Sequence, residues 1–327
     1  MISCMPSAKP NSKPTLSRRP LTTSNADQAL FVYRTAETKT IMASLDMGLN
    51  TWLVGPAGAG KTTLLRHVLR QLENAGDNAV YVNVESARSA AEVIALIAAS
   101  IHPDTTTSSS AVSDETDLAK LEAAATEPVV VLIDGIDEQS TATLFGRYRD
   151  RLWESPQLTW VVASRHAAPP APADAFFDRI VSLGAFTHAE TVKFLELRTP
   201  WIDDSARRRL AEGLGAAQPI TLMLMAQQLA VTDTDVDTLL DALAEQRRQT
   251  AELPDRLRNL YNALVEVGPV HAGDQELHQR IGASRPWIAT GLKELEELGL
   301  AQTEKDGRRK LYEAFNNVFR FAVEAAI

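Results

Sequence analysis

A three-layer, doubly wound α/β domain on a parallel sheet, continued by an all-α lid and a winged helix-turn-helix, is the fold class that this 327-residue sequence predicts. Three observations predict it. Short apolar runs alternate with helical periodicity up to about residue 186, as a parallel sheet with crossover helices requires. From residue 187 the strand signals give way to helical segments separated by Pro200, Gly215 and Pro219. Near the end, three helical patterns precede two short extended stretches joined by Asp306-Gly307, a hairpin signal.

Taken in order, residues 1–28 read as a flexible basic leader. Lys9, Lys13, Arg18 and Arg19 precede the first acidic residue, Asp27, and Pro6, Pro10, Pro14 and Pro20 lie among serines and threonines. Residues 29–186 form the α/β domain. An extended stretch and an amphipathic helix (29–50) lead into the strand "TWLV" (51–54), and a helix with Leu65, Val68, Leu69 and Leu72 at helical spacing follows a glycine-rich turn. "AVYVNVE" (79–85) is the next strand, and a helix from about Ser89 to Ile101 follows it. Residues 102–117 are polar low complexity and read as an exposed loop. "EPVVVLIDGIDE" (127–138) is a continuous apolar run that suits a strand buried on both faces; "LTWVVASR" and "DRIVSLGAF" add two more. Residues 187–253 read as the helical lid. Residues 254–327 read as three helices, the third capped by Ser284, and the hairpin.

Composition narrows the function classes. Apolar residues make up 45% of the chain, and no apolar run approaches the roughly 18 residues of a membrane span. A membrane role is therefore not expected, and the single cysteine, Cys4, fits a reducing cytoplasm. The net charge is −9; beyond residue 26 the chain carries 29 basic against 42 acidic residues, so the body does not read as a general nucleic-acid binder.

"GPAGAGKT" (55–62) carries the clearest chemistry. Gly55, Gly58 and Gly60 free backbone N–H groups to wrap a polyphosphate, and Pro56, Ala57 and Ala59 complete the loop. Lys61 brings a charge to the terminal phosphates, Thr62 a hydroxyl suited to Mg²⁺, and Thr63 begins the helix whose N-terminus favours an anion. This is a P-loop nucleoside-triphosphatase motif in its strand–turn–helix context, and without a guanine-reading NKxD motif it points to ATP/ADP. Asp134, at the end of the apolar strand, is the second Mg²⁺ ligand; Asp137 and Glu138 follow, and one of them is expected to polarise the attacking water. Arg165, at the end of the next strand beside Ser164 and His166, faces the same crevice, where a guanidinium can report the γ-phosphate. Arg147, Arg149 and Arg151 are candidates for an arginine finger acting in a neighbouring subunit.

"VVVLIDGIDE" resembles the Walker B motif of the NACHT-like members of the signal-transduction ATPase class (STAND), within the broader AAA+ group that includes origin-recognition ATPases. "ASR" is similar to that class's sensor motif, "GLGAAQPITLML" to its lid motif and "FVYR" to its opening motif, with Tyr33 at the position of a glycine. The resemblance, over roughly residues 29–312, implies that Arg34 and Pro219 approach the nucleotide. It also implies that the chain is a Mg²⁺-ATP-dependent conformational switch that hydrolyses slowly and answers to a protein partner. The alternatives are an ATP-dependent DNA-binding or DNA-loading factor that assembles as a homo-oligomer, and a nucleotide sensor without turnover. Duplex DNA would meet the wing at Lys305, Arg308, Arg309 and Lys310. The helix before the wing sets Arg285 and Lys293 against Glu294, Glu296 and Glu297, which suits phosphates poorly.

Overall fold

The computed structural model describes residues 16–32, 34–102, 114–166, 168–231, 235–267, 270–306 and 309–314. A single turn, α1 (Asn25–Gln28), and helix α2 (Thr35–Asp46) precede the sheet unit. There β1 (Thr51–Val54), α3 (Lys61–Ala75), β2 (Ala79–Asn83), α4 (Ala90–Ile101), α5 (Asp114–Ala124) and β3 (Val129–Asp134) follow in turn. Next come α6 (Glu138–Thr141), a π-helical turn (Ala142–Arg147), α7 (Arg149–Trp153), β4 (Leu158–Ser164), a 3₁₀ turn (Ala173–Phe176) and β5 (Arg179–Ser182).

The five strands form one sheet in the order β2-β3-β4-β1-β5, with every neighbouring pair parallel. Their apolar runs are continuous because both faces are covered. Trp52, Val131, Ile133, Trp160 and Val162 point into a core shared with α4, α5 and the π-helical turn. Leu53, Leu132, Val161 and Ala163 point the other way, against Ile41 of α2 and Leu64, Leu65 and Val68 of α3. Burial of each such leucine contributes about 1.5–3 kcal/mol, and the two layers fix the register on which the site depends. The stretch expected as a loop through residue 117 already enters α5 at Asp114, and residues 103–113 lie outside the described residues.

Residues 16–28 depart from the flexible leader the composition suggests. Leu21 is buried in the α3 core, its N–H bonds to Thr63 Oγ1 (3.3 Å), and Arg66 donates to its carbonyl. Asp27, buried, accepts from Arg19 (2.6 and 2.9 Å) and from the Thr22 amide and hydroxyl, which holds its carboxyl well below the usual carboxylate range. The arginines that read as a basic tail are thus partly spent inside the fold. Val32, a little further on, belongs to the core of the helical unit, so the segment threads between the two units.

The helical unit comprises α8 (His188–Arg198), α9 (Asp204–Leu214), α10 (Pro219–Val231) and α11 (Val236–Glu252). Thr187 and Glu190 form a capping box on α8, and Asp203 and Asp235 cap α9 and α11, so the starts of these three helices are set by local sequence. The Phe186 amide donates to the Ala217 carbonyl (2.9 Å) and ties the unit to the end of the sheet. Last come α12 (Asp255–Val267), α13 (Gln275–Ile281), α14 (Arg285–Glu297) and the antiparallel pair β6 (Ala301–Asp306) and β7 (Arg309–Ala314), packed on Leu260, Leu264, Ile288, Leu292 and Leu295. Ser284 stands at the N-cap of α14 without a side-chain capping bond; Pro286, which has no N–H, supports the start instead, in the first turn where a backbone N–H would find no intrahelical acceptor.

Candidate functional site

The site lies at the carboxyl ends of the strands, where an open α/β sheet presents ligands. The loop from Gly55 to Gly60 leaves β1 and enters α3 through Gly60, so the first-turn amides of α3 point at the crevice. Gly58 has φ +75°, and a Cβ there would stand 2.3 Å from Ile220 Cγ2, so this position needs glycine for both conformation and space. Ile220 opens the lid helix α10, and its amide bonds to the Gly58 carbonyl at 3.4 Å. Pro219 stands 3.9 Å from where a Gly60 Cβ would be. The lid therefore rests on the phosphate loop.

Lys61 Nζ donates to the carbonyls of Gly55 (2.5 Å) and Pro56 (3.0 Å). Burial, with the nearby Arg165 charge adding to it and Asp134 opposing, brings its pKa down to about 8. A lysine held so, with no ion pair among the described residues, gains most from an anion. Thr62 Oγ1 donates to Asp134 Oδ2 at 2.6 Å, and Tyr81 from β2 donates to the same oxygen at 2.9 Å. Burial and the Asp134 charge push the Tyr81 phenol up to about 12, so it remains a donor. A hydroxyl and a carboxylate oxygen, together beside the phosphate loop, fit Mg²⁺, which keeps few protein ligands and completes its shell with phosphate and water. Among the described residues no cluster of three or more His, Cys, Asp or Glu side chains forms an all-protein metal site.

The other expected site residues divide. Arg165 and Pro219 line the crevice, as do Ala57, Thr63 and Ser164. Arg165 is exposed and forms no ion pair among the described residues. Arg34 also lines it, but its guanidinium is buried and committed to the protein: it donates to the carbonyls of Ala59 (3.1 Å) and Gly184 (2.8 Å), pairs with Glu37 and lies 4.5 Å over the Phe186 ring. Burial lowers its pKa, and Glu37 opposes that. It thus clamps the phosphate loop to the end of β5 rather than reaching out to a ligand. Tyr33 lies outside the described residues.

Asp137 and Glu138, expected as the water-polarising pair, do not line the crevice. Asp137 caps α6, accepting from the Ser140 amide (2.8 Å) and hydroxyl (2.7 Å); burial raises its pKa, and these bonds outweigh that and lower it. Glu138 is exposed in the first turn of that helix. Gly135 and the buried Ile136 still line the crevice, and the chain then enters α6, whose residues do not. Arg151 pairs with Glu122 (2.7 Å), Arg149 with Asp150 (3.2 Å), and Arg147 lies over Tyr148; none of them lines the crevice of its own chain.

Sequence reasoning missed Tyr81, which bonds to Asp134 from β2, and Glu85 at the exit of that strand, together with Arg198 from α8 and Arg18 and Arg19; the last four of these line the crevice. Period-two parity in "AVYVNVE" was the available signal for the first two, since residues 81, 83 and 85 share the face that α3 covers. The crevice measures about 790 Å³, within the range of small-molecule sites. Its walls carry seven Lys and Arg side chains against two carboxylates, Glu85 and Asp134, with Phe31, Val32, Phe186 and Met223 as an apolar side. A polyanion with an apolar ring system matches that division.

In the terminal hairpin, Lys310 Nζ is bonded to both oxygens of Glu296 on α14 (3.0 and 2.7 Å). Lys305 and Arg309 occupy the hairpin strands by backbone position, and Arg308 lies outside the described residues. No described helix is long and apolar enough to cross a membrane.

Residues 48–162 match the AAA domain family. In sequence no curated protein matches the chain. Among solved structures, the Walker-type ATPase of Pyrococcus abyssi is 16% identical, with 94% of this chain and 99% of that one covered and a TM-score of 0.52. A chain of the Drosophila origin recognition complex bound to DNA is 14% identical over 99% of this chain and 95% of that one, with a TM-score of 0.50. At such identities the likeness is one of fold: an AAA-type P-loop α/β domain, similar over residues 48–162 to the AAA family, continued by a helical C-terminal region.

Proposed function

We propose that the protein binds Mg²⁺-ATP and works as a nucleotide-operated conformational switch, hydrolysing ATP slowly to reset. The observation that carries this reading is the seating of Ile220 on Gly58, because a loop that reshapes around phosphates cannot do so without moving α10. In this reading the loop amides and Lys61 hold the phosphates, while Thr62 and Asp134 hold Mg²⁺, which supplies charge neutralisation between the terminal phosphates. Tyr81 keeps Asp134 oriented. Arg165 meets the γ-phosphate, Pro219 and Ile220 pass its presence to the lid, and Arg34 keeps the loop anchored. The STAND-like resemblance assigns the output to a protein partner reached through the C-terminal three-helix and hairpin unit, read as a winged helix.

Hydrogen exchange of the full chain with and without Mg²⁺-ATP tests the reading. Protection should change in both residues 55–62 and the first turns of α10; ATP binding that leaves α10 unchanged would sink the switch. The DNA-loading alternative draws less support, since Lys310 is already bonded to Glu296. Assembly on duplex DNA in an ATP-dependent manner would restore it.

A further inference from the structure

We infer that Glu85, supplied from the exit of β2, is the carboxylate that accepts the proton of the attacking water. This rests on the reading of the crevice as an ATP site and deepens it.

The assignment starts from which acids the crevice contains. Two carboxylates line it, Glu85 and Asp134. Asp134 is committed, because one of its oxygens accepts from both Thr62 and Tyr81 and so stands as the metal-side ligand. Asp137 is spent on the cap of α6, and Glu138, in the first turn of that helix, does not line the crevice. Glu85 is exposed and forms no ion pair among the described residues, so its oxygens are available to a water.

The fold also brings Glu85 into place. Asn83 is in register with Asp134, and the Val84 amide donates to the Asp134 carbonyl (2.9 Å), so pairing continues past the end of β2. The Glu85 amide then turns onto Asn83 Oδ1 (3.0 Å). The residue after Asp134 is Gly135, with φ +80°; a Cβ there would stand 3.0 Å from Glu85 Cβ and 3.3 Å from its Cα. A side chain at residue 135 would therefore push the β2 exit away. The glycine that gives the strand end no acid of its own makes room for one delivered by the neighbouring strand.

In the step, the water oxygen forms a bond to the γ-phosphorus as the bond from that phosphorus to the β,γ-bridging oxygen breaks. ADP leaves with the electron pair, and the water proton passes to a Glu85 oxygen and then to solvent, which restores the carboxylate.

Three full-length variants, Glu85→Gln, Glu138→Gln and Asp137→Asn, are compared with wild type in single-turnover cleavage of radiolabelled ATP, in affinity for a fluorescent ATP analogue, and in the nucleotide retained after gel filtration. Glu85→Gln should cut cleavage by about 100-fold or more, keep affinity within about twofold and retain ATP where the wild type retains ADP. Glu138→Gln and Asp137→Asn should cleave within about threefold of wild type. Cleavage at the wild-type rate by Glu85→Gln, loss of its ATP affinity, or loss of cleavage in Glu138→Gln instead would overturn the assignment. A wild type that holds ATP uncleaved would overturn it too, yet leave the ATP site standing. Failure of the site itself shows separately, as a Lys61→Ala variant that binds ATP like the wild type.

Discussion

Two lysines mark the contrast between the ends of the molecule. Lys61, at the sheet crevice, is half-buried, bonded only to backbone carbonyls among the described residues, and its pKa is brought down to about 8 by burial and the nearby Arg165. Lys310, on the terminal hairpin, is half exposed, bonded to Glu296, and raised in pKa by that bond. A fold that shields a lysine without giving it a carboxylate partner pays in stability, which an external anion restores. A fold that supplies the partner leaves little for a ligand to gain. The difference leaves a lysine available to an external anion at the crevice, whereas Lys310 already has its partner.

Lys61→Ala breaks the contrast most directly. Removing charge-assisted bonds worth about 3 kcal/mol should weaken ATP binding about 100-fold or more, as read by calorimetric titration. A Lys310→Ala change should leave that affinity unaltered. If both variants bind alike, the crevice has no privileged cation and the contrast fails.

Next in size are two core truncations that separate the ends. Leu21→Ala and Leu292→Ala each remove a buried leucine, and each should cost about 2–5 kcal/mol in chemical denaturation. Only Leu21→Ala should also weaken ATP binding, because Leu21 anchors the segment bearing Arg18 and Arg19 along the crevice wall. Equal effects on affinity would mean that the N-terminal segment merely packs.

A smaller effect is expected from Gly58→Ala. The new methyl would meet Ile220 at a position whose φ is +75°, at a cost of about 1–3 kcal/mol. Pairing it with Ile220→Ala should recover the steric part and leave the conformational part, so denaturation of the double variant should fall between wild type and Gly58→Ala. A double variant no more stable than the single one would show that the loop and α10 do not press on each other.

Much of this was legible before any coordinates. The five strands showed because burial on both faces leaves unbroken apolar runs, and the phosphate loop showed because its spacing is tied to a strand before and a helix after. The position of Asp134 was legible for the same reason: it ends a run whose direction is known. The placement of Asp137 and Glu138 lay beyond that reach, since proximity to Asp134 in the chain does not reveal that Asp137 caps α6 and that neither side chain lines the crevice. Residues 16–28 misled through composition, because Arg19 and Asp27 stand eight residues apart in sequence and pair only once Leu21 is packed. Period-two parity puts Glu85 on the same strand face as Tyr81, but only the pairing of β2 with β3 brings it beside Gly135.

The smallest effect belongs to the Glu296–Lys310 pair, and it tests the contrast from the other side. Lys310 holds the Glu296 carboxyl below its ordinary value, and Glu296 holds the lysine above its own. The contribution of Glu296 is therefore present above its unfolded value and lost as pH falls; that of Lys310 is present below its unfolded value and lost as pH rises through the raised one. Between about pH 5 and pH 10 the pair should add nothing to the pH dependence of stability. Glu296→Gln should leave stability at pH 7 close to wild type, because exposed pairs contribute little. The same change removes the carboxylate partner of Lys310, one of the four basic residues that the sequence places in the hairpin segment with Lys305, Arg308 and Arg309. If the hairpin is a docking surface for protein, band shifts with duplex DNA should stay absent at low salt. A salt-sensitive shift that appears in Glu296→Gln would instead show that Glu296 masks a DNA contact, and the terminal unit would have to be read as a restrained binder rather than a relay.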